Sequence, residues 1–180
     1  MKKLKTTWII ILYVCVSVSL LSGCGKSGGN SKGKSRAHEY HAANHAKKEA
    51  KEYFKYLKDK DTKSLNKLFS SKAQQTHNLD KEWDEFFNAI DGNLESYEKV
   101  KAGGEEMYVD DYKVTYSYIQ ITYENVKTDT GKTYEEISYN EIRVDNKEPD
   151  EEGIKLFVLM IPADNEKGCE EICVGQVGEW

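Results

Sequence analysis

The hydrophobic period of this chain changes once, and that change limits the fold more than any single motif does. From Arg36 to Asp59 the residues Ala43, Ala46, Ala50, Tyr53, Phe54 and Leu57 fall on one face at helical spacing, which predicts a long first helix. Asp61 stands where an N-cap would start a second, shorter helix that buries Leu65, Leu68 and Phe69. A third helix is expected from near Asp80. It presents Trp83, Phe86, Phe87 and Ile90 and stops at Gly92, which takes the left-handed C-terminal position readily.

Beyond Gly92 the period is two. Tyr112 to Tyr123 is rich in β-branched and aromatic residues, Thr133 to Val144 alternates in the same way, and Asp129-Thr130-Gly131 between them supplies turn chemistry. Ile154 to Ile161 is apolar apart from Lys155, the pattern of a strand covered on both faces near the centre of a sheet. Leu94 to Lys101 reads as a further strand closed by a Gly103-Gly104 turn. Helices first and strands after predict an α+β domain, its N-terminal helices packed on one face of a curved antiparallel sheet. Pro149 and Pro162 both stand where a strand would begin or end.

Ahead of the domain, Lys2, Lys3 and Lys5 precede an uncharged run from Trp8 to Leu21. That is the order of a secretory leader, and the run is short of the ~20 residues a spanning helix needs. It ends in Leu21-Ser22-Gly23-Cys24, which resembles the lipobox of bacterial lipoproteins. The resemblance implies cleavage before Cys24, with acyl chains on its sulfur and new amine that hold the protein stably on a bilayer. A plain secretory leader and an uncleaved anchor are the alternatives. Gly25 to Ser35 has nothing to bury and is expected to be a flexible tether reaching roughly 18 Å, with Lys26, Lys32, Lys34 and then Arg36 able to meet anionic lipid or simply to aid solubility. The chain thus divides into a leader (1–23), a lipidated cysteine with a basic tether (24–35) and one α+β domain (36–180) with a short cysteine-containing tail.

Loss of three leader lysines leaves 23 basic against 31 acidic residues, a balance that argues against nucleic acid as a partner. Cys169 and Cys173 are the cysteines left for the folded part, either bonded to each other or as two free thiols.

The stretch Tyr56-Leu-Lys-Asp-Lys-Asp-Thr-Lys-Ser-Leu-Asn-Lys-Leu-Phe-Ser70, the Leu79-Asp80 helix and Gly92-Asn-Leu-Glu-Ser-Tyr97 resemble the lipoprotein family known as domain of unknown function 5104. Its architecture is similar to the nuclear-transport-factor-2-like cone, in which helices close over a bent sheet. The resemblance covers about Ala43 to Pro162. It implies a pocket between helices and sheet, used by such cones for small ligands, for chemistry or for pairing with a second protein. It carries no catalytic set.

Among the residues themselves, His38, His41 and His45 lie within one arc of the first helix with Glu49 next to them, a stripe that reads either as a metal chelate or as a solvated polar face. His77 reads as a loop residue. Asp129-Thr-Gly131 copies an aspartic-protease tripeptide without its preceding apolar strand, so it is expected to be a turn, and Gly131-Lys132-Thr133 lacks the first glycine of a phosphate-binding loop. Asp110 and Asp111 suit either a general base or an exposed turn. Tyr112, Tyr116 and Tyr118 share one strand face, with Tyr123 on the other. They could line a ligand cleft or pack across strands.

These readings lead us to expect a membrane-anchored, extracytoplasmic lipoprotein whose domain is a non-catalytic module that binds a ligand or an envelope protein and needs no cofactor. The rivals are an enzyme using an Asp or Tyr in the cone and an assembly role through homodimerisation.

Overall fold

The first helix, α1 (Lys32–Asp59), is long because its apolar stripe runs unbroken, and it buries Ala46, Ala50, Phe54 and Leu57. It starts four residues before the expected boundary and takes in the end of the tether stretch. Lysine and arginine extend a helix at little cost once one is nucleated. The chain is seen in a computed structural model that describes residues 32–109, 113–162 and 169–175, with side chains from residue 45 onward except 107–109. The leader, Cys24, the side chains of His38 and His41, and Asp110, Asp111 and Tyr112 lie outside the described residues.

Lys60, at φ 51°, ends α1, and the next amide turns back to Tyr56. Asp61 caps α2 (Thr62–Asn66) by accepting from the Ser64 amide at 3.1 Å and its hydroxyl at 2.6 Å, and Leu65 and Phe69 are buried as expected. A helix that periodicity did not reveal follows, α3 (Ser71–Thr76). It buries only Ala73, and its signal is the N-cap Ser70, which accepts from the Ala73 amide at 3.1 Å. In α4 (Leu79–Asn88), Trp83 and Phe86 are fully buried and Phe87 nearly so. This helix ends well short of Gly92, at Ala89. Gly92 does take a positive φ, +89°, but in the turn beyond, where a Cβ would lie 2.4 Å from Asp129 Oδ1.

Among the described residues six strands form one antiparallel sheet: β1 (Leu94–Ser96), β2 (Lys99–Val109), β3 (Lys113–Thr128), β4 (Thr133–Asp145), β5 (Gly153–Pro162) and β6 (Cys169–Gly175). The order is β1-β3-β4-β5-β6, with β2 paired along the same edge of β3 that β1 uses. Helices with an open antiparallel sheet make the domain α+β, as its period change predicts. Three details differ from expectation. The strand expected over Leu94 to Lys101 is split, Leu94–Ser96 forming β1 and Lys99 opening β2. Gly103 and Gly104 lie inside β2 and make no turn; a Cβ on Gly104 would sit 2.2 Å from the Tyr118 carbonyl oxygen, so the glycine permits close approach of two strands. The cysteine-containing tail forms strand β6.

In β3, Ser117, Ile119, Ile121 and Tyr123 are buried at alternate positions. Asn125, at φ 53°, then shifts the alternation so that Val126 and Thr128 turn inward. Register shifts also fall between Met107 and Tyr108, Ser117 and Tyr118, and Asn140 and Glu141, the kind of irregularity that lets a long sheet bend. The inward rings meet the helices directly: Phe54 lies 5.2 Å from Tyr123, and Trp83 lies 5.2 Å from Phe157 of β5. β5 is an interior strand, and Ile154 to Phe157 are buried on both faces.

Candidate functional site

Polar groups enter this core where side chains of α1 reach β4. On α1, His45, Glu49 and Tyr53 succeed one another at i, i+4 and i+8, so the flank of the helix beside its apolar stripe carries them in a row. On β4, Ile137, Tyr139 and Glu141 alternate toward the helices, and the register shift between β3 and β4 leaves Arg143 unpaired. The Arg143 Nη2 donates to Glu49 Oε2 and, at 3.3 Å, to Glu141 Oε2. His45 Nδ1 lies 3.1 Å from Glu49 Oε1, and the Tyr53 ring sits 5.6 Å from that of Tyr139.

Burial sets the electrostatics. It pushes the Glu141 carboxyl above its ordinary value, against the opposing pull of Arg143. Burial also works against the charge on Arg143, but Glu141 and Glu49 offset this and hold the guanidinium charged. The phenols of Tyr53 and Tyr139 are raised by burial first and by neighbouring groups second, so both stay protonated. Two donors in this cluster have no acceptor among the described residues: the Tyr139 hydroxyl, in a fully buried residue, and Arg143 Nε, which can only donate. An unpaired buried donor costs free energy, so both groups are able to give a hydrogen bond to a polar acceptor brought beside them.

A second buried charge group is structural. Lys155, 3% exposed, pairs with Glu151, which also pairs with Lys72 of α3, and so pins the turn at Pro149–Glu151 to that helix. Burial, then Lys72, lowers the Lys155 amine.

The residues singled out from sequence are scattered. His45 joins the polar flank, but no group of three His, Cys, Asp or Glu that could hold a metal is present among the described residues. Tyr116 and Tyr118 do share a face, but they alternate with buried Ser117 and Ile119. They therefore point away from the helix-packed core; the rings on the core side are Tyr97, Tyr123, Tyr134 and Tyr139. Asp129 is a clasp: its carboxylate accepts from the Asn93 amide at 2.8 Å and side chain at 2.9 Å, which holds it below its ordinary value. His77 Nδ1 lies 3.1 Å from Glu82 Oε1. Cys169 and Cys173 are both free thiols, because four residues of extended strand hold their Cα atoms about 13 Å apart, beyond disulfide reach. Sequence reasoning passed over Tyr139, Glu141 and Arg143. Their signal was available: charged residues that continue the inward parity of Ile137 in an alternating strand.

Among the described residues, no helix is long and apolar enough to cross a membrane. Residues 52–161 match the family described as Domain of unknown function (DUF5104). No curated protein matches the chain.

Proposed function

Because the chain belongs to the domain of unknown function 5104 family, whose description names no reaction, we propose its role from its own residues: a lipid-anchored, extracytoplasmic lipoprotein whose domain binds a polar ligand or an envelope protein without transforming it. Its helices and sheet form a cone of the nuclear-transport-factor-2-like kind, and the ligand is taken where side chains of α1 reach β4. The observation that carries the reading is the buried Tyr139 hydroxyl, which has no partner among the described residues, as Arg143 Nε of the same strand has none. Proteins seldom keep such a group for stability's sake. The leader and Cys24 support the anchored location.

The test is a thermal-shift screen of the full-length chain against surface glycans, peptides and envelope proteins. Tyr139→Phe and Arg143→Lys should abolish any shift found while far-UV circular dichroism stays unchanged. Failure of every class under native conditions would count against binding.

A second reading, catalysis, draws on one observation. Glu141 holds its proton more readily than an ordinary carboxyl and accepts from Arg143 Nη2 at 3.3 Å, a placement that suits a general acid. Substrate turnover that Glu141→Gln eliminates would replace the binding-only reading.

A further inference from the structure

The charges of α1 are sorted by sign around the helix. At 3.6 residues per turn, Lys47, Lys51, Lys55 and Lys58 fall within about 80° of its circumference, all exposed and beside the buried Phe54. Glu49, Glu52 and Asp59 lie further round, toward the flank that meets β4. Glu49 is held by Arg143 and Glu52 by the Tyr56 hydroxyl, so neither is paired with a lysine. Among the described residues no ion pair reaches Lys47, Lys51 or Lys55; Lys58 donates to the Glu95 carbonyl at 3.3 Å. Like charges four residues apart weaken a helix, whereas α4 sets Lys81 against Glu85 at the same spacing. A face that only had to be wet would gain from mixing signs, the more so in a chain with 26 basic and 31 acidic residues. The helical register carries the line back through positions 36 and 32, where the residues are Arg36 and Lys32, so that it runs about 39 Å.

Lys47, Lys51 and Lys55 stand about 6 Å apart along the axis, each ammonium on its own long stem, and they converge on no single point. Such a row fits a surface that repeats a negative charge rather than one small anion. The chain supplies the place of that surface: α1 opens eight residues after Cys24, and eight residues span at most about 28 Å.

We propose, resting on the anchored location given above, that the lysine flank of α1 lies on the anionic phospholipid headgroups of the bilayer that holds Cys24. Each cation brought to such a surface strengthens the partition by roughly fivefold. The acidic remainder of the chain is repelled from the same surface, so the contact also sets which way the domain faces. The flank carrying Glu49 and Tyr53 is then turned away from the lipid.

The experiment mixes the full-length chain with vesicles of phosphatidylcholine, alone or with phosphatidylglycerol, and recovers them by flotation. Lysines are then labelled with an amine-reactive ester and mapped by mass spectrometry. With phosphatidylglycerol present, labelling of Lys47, Lys51 and Lys55 should fall by roughly fivefold and recover at high salt. Lys81 and Lys147, exposed on other elements, should label equally on both vesicles. Lys48, beside the row, should be protected in the wild type and lose that protection when Lys47→Gln, Lys51→Gln and Lys55→Gln are combined. A chain that floats with phosphatidylcholine but labels alike on the two vesicles keeps its anchor and overturns this contact. One that floats only with phosphatidylglycerol, with those lysines protected, keeps the contact and loses the anchor. Floating with neither overturns both. Protection by soluble polyglutamate but not by lipid also overturns the contact, in favour of an acidic protein partner.

Discussion

Arg143 of β4 and Glu49 of α1, 94 positions apart in the chain, are joined by a hydrogen-bonded ion pair that ties the long helix to the sheet. Arg143 is 20% exposed, and it also serves Glu141. Replacing it with Met leaves two carboxylates beside each other without a cation, a loss of about 2 kcal/mol near neutral pH. The sign with pH follows from Glu141. Its folded value lies above the ordinary 4.5, so the folded state binds more protons in that window and stability rises as pH falls toward 4.5. Arg143→Met should steepen that rise. Urea unfolding across this pH range measures it, and a variant with an unchanged slope would show that the pair is not coupled to Glu141.

One substitution made at two tyrosines should act with opposite signs. Tyr123 donates to the Ala50 carbonyl at 2.6 Å, so Tyr123→Phe should destabilise by about 1 kcal/mol. Tyr139 has no hydrogen-bond partner among the described residues, so Tyr139→Phe should raise stability by roughly 1 kcal/mol. Paired thermal melts check this, and equal losses at both positions would mean the Tyr139 hydroxyl is satisfied.

Gly92 and Gly131 have nearly the same backbone, φ +89° and +86°, but different surroundings. Alanine at Gly131 meets only the conformational cost, about 1 kcal/mol. Alanine at Gly92 must also displace Asp129, whose carboxylate clasps Asn93, and should cost more. If chemical denaturation gave the two variants the same midpoint, the clasp would have no part in stability.

Membrane attachment through Cys24 predicts that Cys24→Ser moves the protein from the membrane fraction to the soluble or secreted one. Intact-mass measurement of the wild type should show acyl chains and no leader. An unmodified thiol at position 24 would remove the anchor from the proposal.

Much of the architecture was legible in the order of residues. The helical stripe through Ala46, Ala50 and Leu57, the Asp61 cap, the Trp83 and Phe86 face, and the alternation in β3 and β4 are local patterns. Each depends on a period fixed by backbone geometry. The missed elements lack such a period: α3 buries a single alanine, and β6 is short, with Glu170 and Glu171 adjacent and its buried residues only at its end. The Gly103-Gly104 pair misled because glycine marks both turns and close strand contacts. Which face of β3 meets the helices was equally hidden, since period two assigns Tyr116 and Tyr123 to opposite faces without saying which face is covered.

The sequence by itself determined the change from helices to strands and the caps, because these depend on neighbours a few residues away. Tertiary structure alone decided that Glu49 meets Arg143, that the Tyr139 hydroxyl is buried with no partner among the described residues, and that Cys169 and Cys173 stand too far apart to bond within a chain. Those facts depend on strand register and on the way α1 crosses the sheet, and one shift of register exchanges every inward side chain for an outward one.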